Sequence, residues 1–283
     1  MFIYISDVHI SDRQPISRLD NVFDVGIKKL EFVLDFANKN RYNVICGGDL
    51  FHEPRVSYKT LNAVMDLLKK YQVNFFTIFG NHDMVGVNNA DEGCALFTLI
   101  KSGLVKQLTR LETENFNIVG LDYTKEIPNE YYFNSNDKKN ILVIHNALTT
   151  EKARYDHIQV KDFKTDANLV LCGHIHQTFH QKVGKTLFIS PGPIVRRSIA
   201  EKDIKPLFLT IDDKVNIHYI PCNDPEFCIT TSKEVTEALD TAIKDTKLEV
   251  ANIEDYINSS SYDKEVKEFC ISKVNKVREE YGN

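Results

Sequence analysis

Gly47-Gly48-Asp49-Leu50-Phe51-His52 directly follows the apolar run Val44-Ile45-Cys46, and this junction decides how the chain is read. A short apolar run closed by glycines reads as a buried strand. The paired glycines let the backbone turn sharply and approach a neighbour closely. Asp49 is then left at the carboxyl end of the strand, where open α/β sheets hold their ligands. A carboxylate there has two oxygens and can hold two cations at once. Taken alone, Gly-Gly-Asp after a strand is more often a turn with a capping Asp.

Repetition changes that balance. Asp7 and His9 follow Phe2-Ile3-Tyr4-Ile5, and Asn81, His82 and Asp83 follow the run 75–80. His145 follows Ile141-Leu142-Val143-Ile144, and His174 and His176 follow Leu169-Val170-Leu171-Cys172-Gly173. Five apolar runs thus each deliver Asp, Asn or His at their carboxyl end, a placement that nine scattered histidines would rarely reach by chance. Asp7 and His9 fall on one side if the chain stays extended. Gly80-Asn81-His82-Asp83 is the most specific unit. Its amide oxygen suits a cation, its imidazole can act on a substrate, and its carboxylate can orient that imidazole. Gly173-His174-Ile175-His176 suits chelation from one turn.

The alternation of elements sets the fold class. A helix over about 20–38, with Phe23, Ile27, Leu30, Leu34 and Ala37 at helical spacing, joins the first two strands as a βαβ unit, which implies parallel pairing. A second helix is expected over about 57–70 with Ser57 as its cap, then a strand at 75–79, a helix at 91–101 and strands near 104–108 and 116–121. Strands at 141–144, 169–172 and 186–190 and a hairpin over 206–220 complete an α/β core, residues 1–221. Pro221-Cys222-Asn223-Asp224-Pro225 marks a boundary. Residues 222–283 are expected to form a short strand at 227–231 and then amphipathic helices, the last over about 263–280.

Composition excludes several classes. The chain has 283 residues, 42% hydrophobic and 27% charged, with a formal net charge of −5, so no global positive field draws it to nucleic acid. Contact with a polyanion must use a local patch, metal ions or a partner. Cys46 and Cys172 lie inside apolar runs and no Cys-x-x-Cys occurs, which fits a reducing, cytoplasmic compartment. No signal-peptide pattern or membrane-length apolar run is seen. No Gly-x-Ser-x-Gly elbow or Walker loop is present. Two metals about 3.5–4 Å apart neutralise phosphate charge, stabilise a leaving oxygen and acidify a bridging water towards hydroxide. An Asp, His and Asn donor set suits Mn²⁺, Zn²⁺ or Fe²⁺ and argues against Ca²⁺. Arg196-Arg197, just past a strand end, are candidates to clamp a phosphate.

Taken in order, Asp-x-His, Gly-Gly-Asp, Gly-Asn-His-Asp, His and Gly-His-x-His resemble the calcineurin-like metallophosphoesterase superfamily over residues 5–176. The resemblance implies a two-layer β-sandwich flanked by helices. It assigns Asp7, His9, Asp49 and His176 to one divalent metal, and Asp49, Asn81, His145 and His174 to a second. It puts His82, held by Asp83, over the leaving group. Gly-Gly-Asp-Leu-Phe-His with its terminal His52, and Pro-Gly-Pro-Ile-Val-Arg-Arg-Ser at 191–198, are similar to SbcD-type DNA double-strand-break repair nucleases. That narrower resemblance implies an Mn²⁺-dependent exonuclease and endonuclease in which His52 positions the DNA strand. It also implies a homodimer and an SbcC-type coiled-coil ATPase partner docked through C-terminal helices. Residues 222–283 are short for a capping domain plus a docking segment, so the chain looks like the compact versions carried by bacteriophages, acting in a host cytoplasm. A small-substrate phosphodiesterase on the same core, or a non-catalytic scaffold, are the competing readings.

Overall fold

The structure is a computed structural model and describes residues 1–15, 17–86, 92–133 and 137–221. In chain order the elements are β1 (Phe2–Ile5), α1 (Val22–Asn40), β2 (Asn43–Cys46), α2 (Tyr58–Tyr71), β3 (Phe75–Thr77), α3 (Ala95–Lys101), β4 (Lys106–Gln107), β5 (Arg110–Glu112) and β6 (Phe116–Leu121). There follow β7 (Glu130–Tyr131), β8 (Lys139–His145), β9 (Leu148–Thr149), β10 (Ile158–Gln159), β11 (Lys164–Thr165), β12 (Leu169–Gly173), β13 (Phe179–Val183), β14 (Thr186–Ser190), β15 (Leu207–Ile211) and β16 (Val215–Tyr219). Short 3₁₀ turns occupy Asn81–Asp83 and Ile199–Glu201.

Two six-stranded sheets form the body, ordered β16-β15-β1-β2-β3-β4 and β13-β14-β12-β8-β6-β5. β1, β2 and β3 run parallel, as do β6, β8, β12 and β14. The site-bearing strands of each sheet therefore end on one side.

Strand alternation explains why the apolar runs are continuous. In β1, Phe2 and Tyr4 enter the core between the sheets, while Ile3 and Ile5 face the core under the helices. In β8, Ile141 and Val143 face the sandwich interior, while Leu142 and Ile144 enter a third core with Phe163 and Phe188. Strands buried on both faces need apolar residues at every position, and each large side chain so buried contributes about 1.5–3 kcal/mol.

The two-layer sandwich is as expected, but among the described residues helices cover only one of its faces. The helix-side core includes α1 (Leu30, Val33, Leu34), α2 (Val64, Leu67, Leu68) and α3 (Leu96, Leu99) together with β1 and β2 residues. The outer face of the other sheet is covered by side chains that include Phe133, Leu148, Val160 and Phe163. The two long helices lie within two residues of their expected ends, and Ser57 caps α2 by accepting from Thr60 N at 3.2 Å. β5, β7, β9, β10, β11 and β13 were not expected. β13 is a half-exposed strand that pairs, among the described residues, with β14 alone, and its mixed Phe-His-Gln-Lys-Val sequence carries little apolar signal. The strand at 227–231 and the C-terminal helices fall outside the described residues. No helix among the described residues is long and apolar enough to cross a membrane.

Candidate metal centre

The ends of β1, β2 and β3 in one sheet and β8 and β12 in the other bring the candidate donors together. Asp7, His9, Asp49 and His145 are almost completely buried. The chain is not extended at Asp7 and His9 as expected: both lie in the left-handed region, at φ 52° and 51°. Asp49 (φ 54°) and His174 (φ 80°) do the same. Among the described residues the two other non-glycine positions with positive φ, Arg41 and Gln72, are helix C-caps. Left-handed L-residues cost about 1–2 kcal/mol each, and such strain gathers where a structure aims side chains at a site.

The loops are interlocked to hold these angles. Asp7 N donates to Gly48 O at 3.2 Å and His9 N to Asp49 O at 2.9 Å. Gly48 has φ +94°, and a Cβ there would stand 2.5 Å from His145 Nδ1. A Cβ at Gly80 would meet Asp49 Oδ1 at 2.0 Å. Glycine at these two positions is what lets the carboxylate and the imidazole approach the backbone.

Two clusters share Asp49. His9 Nε2 and His176 Nε2 are 2.9 Å apart, and His176 Nε2 is 3.6 Å from Asp7 Oδ1. On the other side, Asn81 Oδ1 is 2.8 Å from His174 Nδ1 and 3.3 Å from His145 Nε2. Asp49 Oδ2 stands between, 3.6 Å from His9 Nε2 and 3.3 Å from His145 Nε2. The two Asp49 oxygens are not equivalent. Oδ1 accepts the His82 backbone N–H at 2.9 Å, and the single oxygen Oδ2 faces both clusters.

The donors fit divalent cations. Asp7, His9 and His176, and separately Asp7, Asp49 and His145, each present ligand atoms within 4.8 Å of one another. Asp7 Oδ2 is buried without a hydrogen-bond partner among the described residues, a state that is costly unless a cation or water completes it. Two imidazole tautomers are set by their neighbours. His145 Nδ1–H donates to Gly47 O at 2.6 Å and His176 Nδ1–H to Glu201 Oε1 at 2.6 Å. Each bond reserves Nε2 for the cluster.

Protons occupy part of this charge balance. Burial lowers His9 to about 3 and His174 to about 4. Burial also acts against protonation of His145 and His176, but Asp49 and Asp7 raise the first to about 9, and Asp7 and Glu201 raise the second to about 10. Burial disfavours the Asp49 carboxylate, yet His145, His9 and His82 hold it below the usual carboxylate range. Each cluster thus pairs one carboxylate with one imidazolium: Asp49 with His145, and Asp7 with His176.

Three expected roles change. Asp83 does not orient the His82 ring. Its buried carboxylate accepts from Asp49 N (2.7 Å), Gly80 N (3.0 Å) and Phe51 N (3.2 Å), tying the β2 and β3 loops together. Burial and the Asp49 charge raise it to about 7. His82 Nδ1–H donates instead to the His52 carbonyl at 2.7 Å, and the two rings stack with centroids 5.0 Å apart. The Arg196-Arg197 pair divides. Arg196 is 2% exposed and donates to Lys202 O at 2.5 Å, which does not offer it to a phosphate. Arg197 lies nearer the site, where its charge contributes to lowering His52 after burial does, to about 4.

Glu201 and Tyr123 were not anticipated as parts of the site. Ser198-x-x-Glu201 is a capping box, a signal legible in sequence. Tyr123, whose ring centroid is 5.4 Å from that of His174, carries no such signal. Asp122 accepts from Phe79 N at 2.8 Å and fastens the β6 end to the β3 loop. A cavity of about 610 Å³ opens beside the clusters, lined by Arg13, His52, Arg55, Asn81 and His82 among others.

The chain is 26% identical over 225 residues to the DNA double-strand break repair protein Mre11 of Methanococcus maripaludis, covering 72% of this chain and 60% of that protein. It is 26% identical over 271 residues to human double-strand break repair protein MRE11, covering 68% of this chain and 37% of that one. This chain therefore spans well under two thirds of the length of these relatives. Among solved structures, a Thermus thermophilus protein superposes with a TM-score of 0.47 at 11% identity, covering 78% of this chain and 98% of that one. The calcineurin-like phosphoesterase superfamily domain matches residues 1–214, and the chain belongs to that superfamily.

Proposed function

We propose that this chain is a two-metal DNA nuclease. The observation that carries the reading is Asp49 Oδ2 standing within 3.6 Å of an imidazole from each cluster, the arrangement a bridging carboxylate requires. Asp7, His9, Asp49 and His176 would hold one divalent cation, and Asp49, Asn81, His145 and His174 the other. Mn²⁺ suits this mixed nitrogen and oxygen set. When bound, the pair supplies phosphate charge neutralisation and water activation.

The chain's own residues do the rest. Water adds to phosphorus, the bond from phosphorus to the leaving oxygen breaks, and that oxygen takes up a proton. His82 has Nδ1–H fixed on the His52 carbonyl, so Nε2 is the nitrogen left to face the leaving oxygen, and it steadies or protonates that oxygen when the ring carries a proton on both nitrogens. His52 stacks on His82 and, with Arg197, forms the wall against which a phosphate is positioned. Arg55 and Arg13, the latter paired with Glu53 at 3.1 Å, line the adjoining cavity and give a net acidic chain local cationic groups for a DNA strand. The Mre11 relatives support DNA as the substrate. On the narrower SbcD-type resemblance, the chain acts with a coiled-coil ATPase engaging residues 222–283 and with a second copy of itself, in the cytoplasm.

The test is hydrolysis of linear double-stranded DNA with Mn²⁺, beside bis-p-nitrophenyl phosphate, for wild type and His82→Ala. The expected result is DNA cleavage that falls by about 10²–10⁴ in the variant, the range for a lost general acid or base. Turnover of the small ester without DNA cleavage would instead favour a small-substrate phosphodiesterase.

A further inference from the structure

The segment that follows β14 touches the centre at two points. Ile194 N donates to Asp7 O at 3.1 Å, and Glu201 Oε1 accepts His176 Nδ1–H at 2.6 Å. Glu201 sits 25 residues beyond His176 in sequence. The segment is itself fastened: Arg18 donates to the Arg196 carbonyl, and Arg196 donates to the Lys202 carbonyl. The second Glu201 oxygen, Oε2, accepts from Arg197 N at 2.5 Å and Ser198 N at 3.0 Å. The carboxylate is thus shared between the loop backbone and one imidazole, in a fixed orientation.

Resting on the reading of His176 as a metal ligand, we infer that Glu201 is the positioning residue for the His9–His176 cluster. Its bond to Nδ1–H fixes the His176 tautomer and ring angle, so the Nε2 lone pair faces Asp7 and His9. Carboxylates that hold the remote nitrogen of a ligating imidazole raise its basicity and orient it, and their loss weakens metal binding about 10–100-fold. His145 shows the other solution: its Nδ1–H is held by the Gly47 carbonyl.

A purely structural role for Glu201, capping the turn, is separable from this one. In Glu201→Gln the amide oxygen still accepts from Arg197 and Ser198, since these N–H groups fix which way the amide lies. The NH₂ group then faces His176 Nδ1. That nitrogen must accept, its proton moves to Nε2, and the lone pair is withdrawn from the cluster. Glu201→Ala removes both the cap and the imidazole partner.

The experiment is calorimetric titration of Mn²⁺ into the metal-free full chain for wild type, His176→Ala, Glu201→Gln and Glu201→Ala, with thermal melting of each metal-free protein. The inference predicts two ions for wild type and one for His176→Ala. It predicts two ions for both Glu201 variants, one of them bound about 10–100-fold more weakly, although only Glu201→Ala melts lower. Wild-type binding by Glu201→Gln, beside loss of one ion in His176→Ala, would overturn the role of Glu201 and leave the metal reading standing. Weakening confined to Glu201→Ala would reduce Glu201 to a cap. Two ions bound normally by His176→Ala would overturn the underlying ligand assignment instead.

Discussion

The two clusters solve one problem by different means. His145 is fully buried and its Nδ1–H is held by a main-chain carbonyl, that of Gly47. The His176 side chain is 28% exposed and is held by the Glu201 side chain on a short turn. The first arrangement is built into the strand-end backbone and is out of reach of most substitutions. The second depends on one removable carboxylate. Asp49 Oδ2 joins them, so each cluster is sensitive to the other's charge.

Breaking the shared element should have the largest effect. Asp49→Asn removes the charge facing both His9 and His145, and neither ion should bind at Mn²⁺ concentrations that saturate wild type, as read by calorimetry. Next is Gly48→Ala, which strikes first at the backbone-held cluster. The new Cβ would stand 2.5 Å from His145 Nδ1 on a residue at φ +94°. It should lower stability by about 1–3 kcal/mol and cost the ion at His145 while the one at His176 remains; denaturant melting and metal stoichiometry check both parts.

The gentlest probe is pH. Metal ligation needs neutral imidazole. Both His145, raised to about 9, and His176, raised to about 10, are protonated in the metal-free protein at neutral pH. Mn²⁺ binding should therefore release protons, and affinity should rise by about tenfold per pH unit for each proton displaced, flattening first for the His145 cluster. Calorimetry in buffers of differing ionisation enthalpy measures that release. Without metal the linkage runs the other way. Folded pKa values above the unfolded value of about 6.5 give stability that is full below that pH and is lost as pH rises through about 9 and then 10.

The donors were legible because strand ends announce themselves. A doubly buried strand must be apolar throughout, so Asp7, Asp49, His145 and His174 stand out against the runs that precede them. What escaped has the opposite character. The acceptor for His82 is the His52 carbonyl, and main-chain atoms carry no residue identity. Asp83 was read as a partner for its neighbour's ring, but three backbone N–H groups from two loops hold it, a contact only the folded chain creates. The left-handed angles at Asp7, His9, Asp49 and His174 leave no mark because no glycine supplies them. The cover over β8 and β12 is built partly from two-residue strands such as β7, β9 and β10, too short to show a period.

The most direct test of the central claim is the electron paramagnetic resonance spectrum of wild type loaded with Mn²⁺. If one Asp49 oxygen bridges both ions, the spectrum shows an exchange-coupled manganese pair, and the coupling is absent in Asp49→Asn. Two uncoupled ions, or a single ion at saturation, would contradict the account.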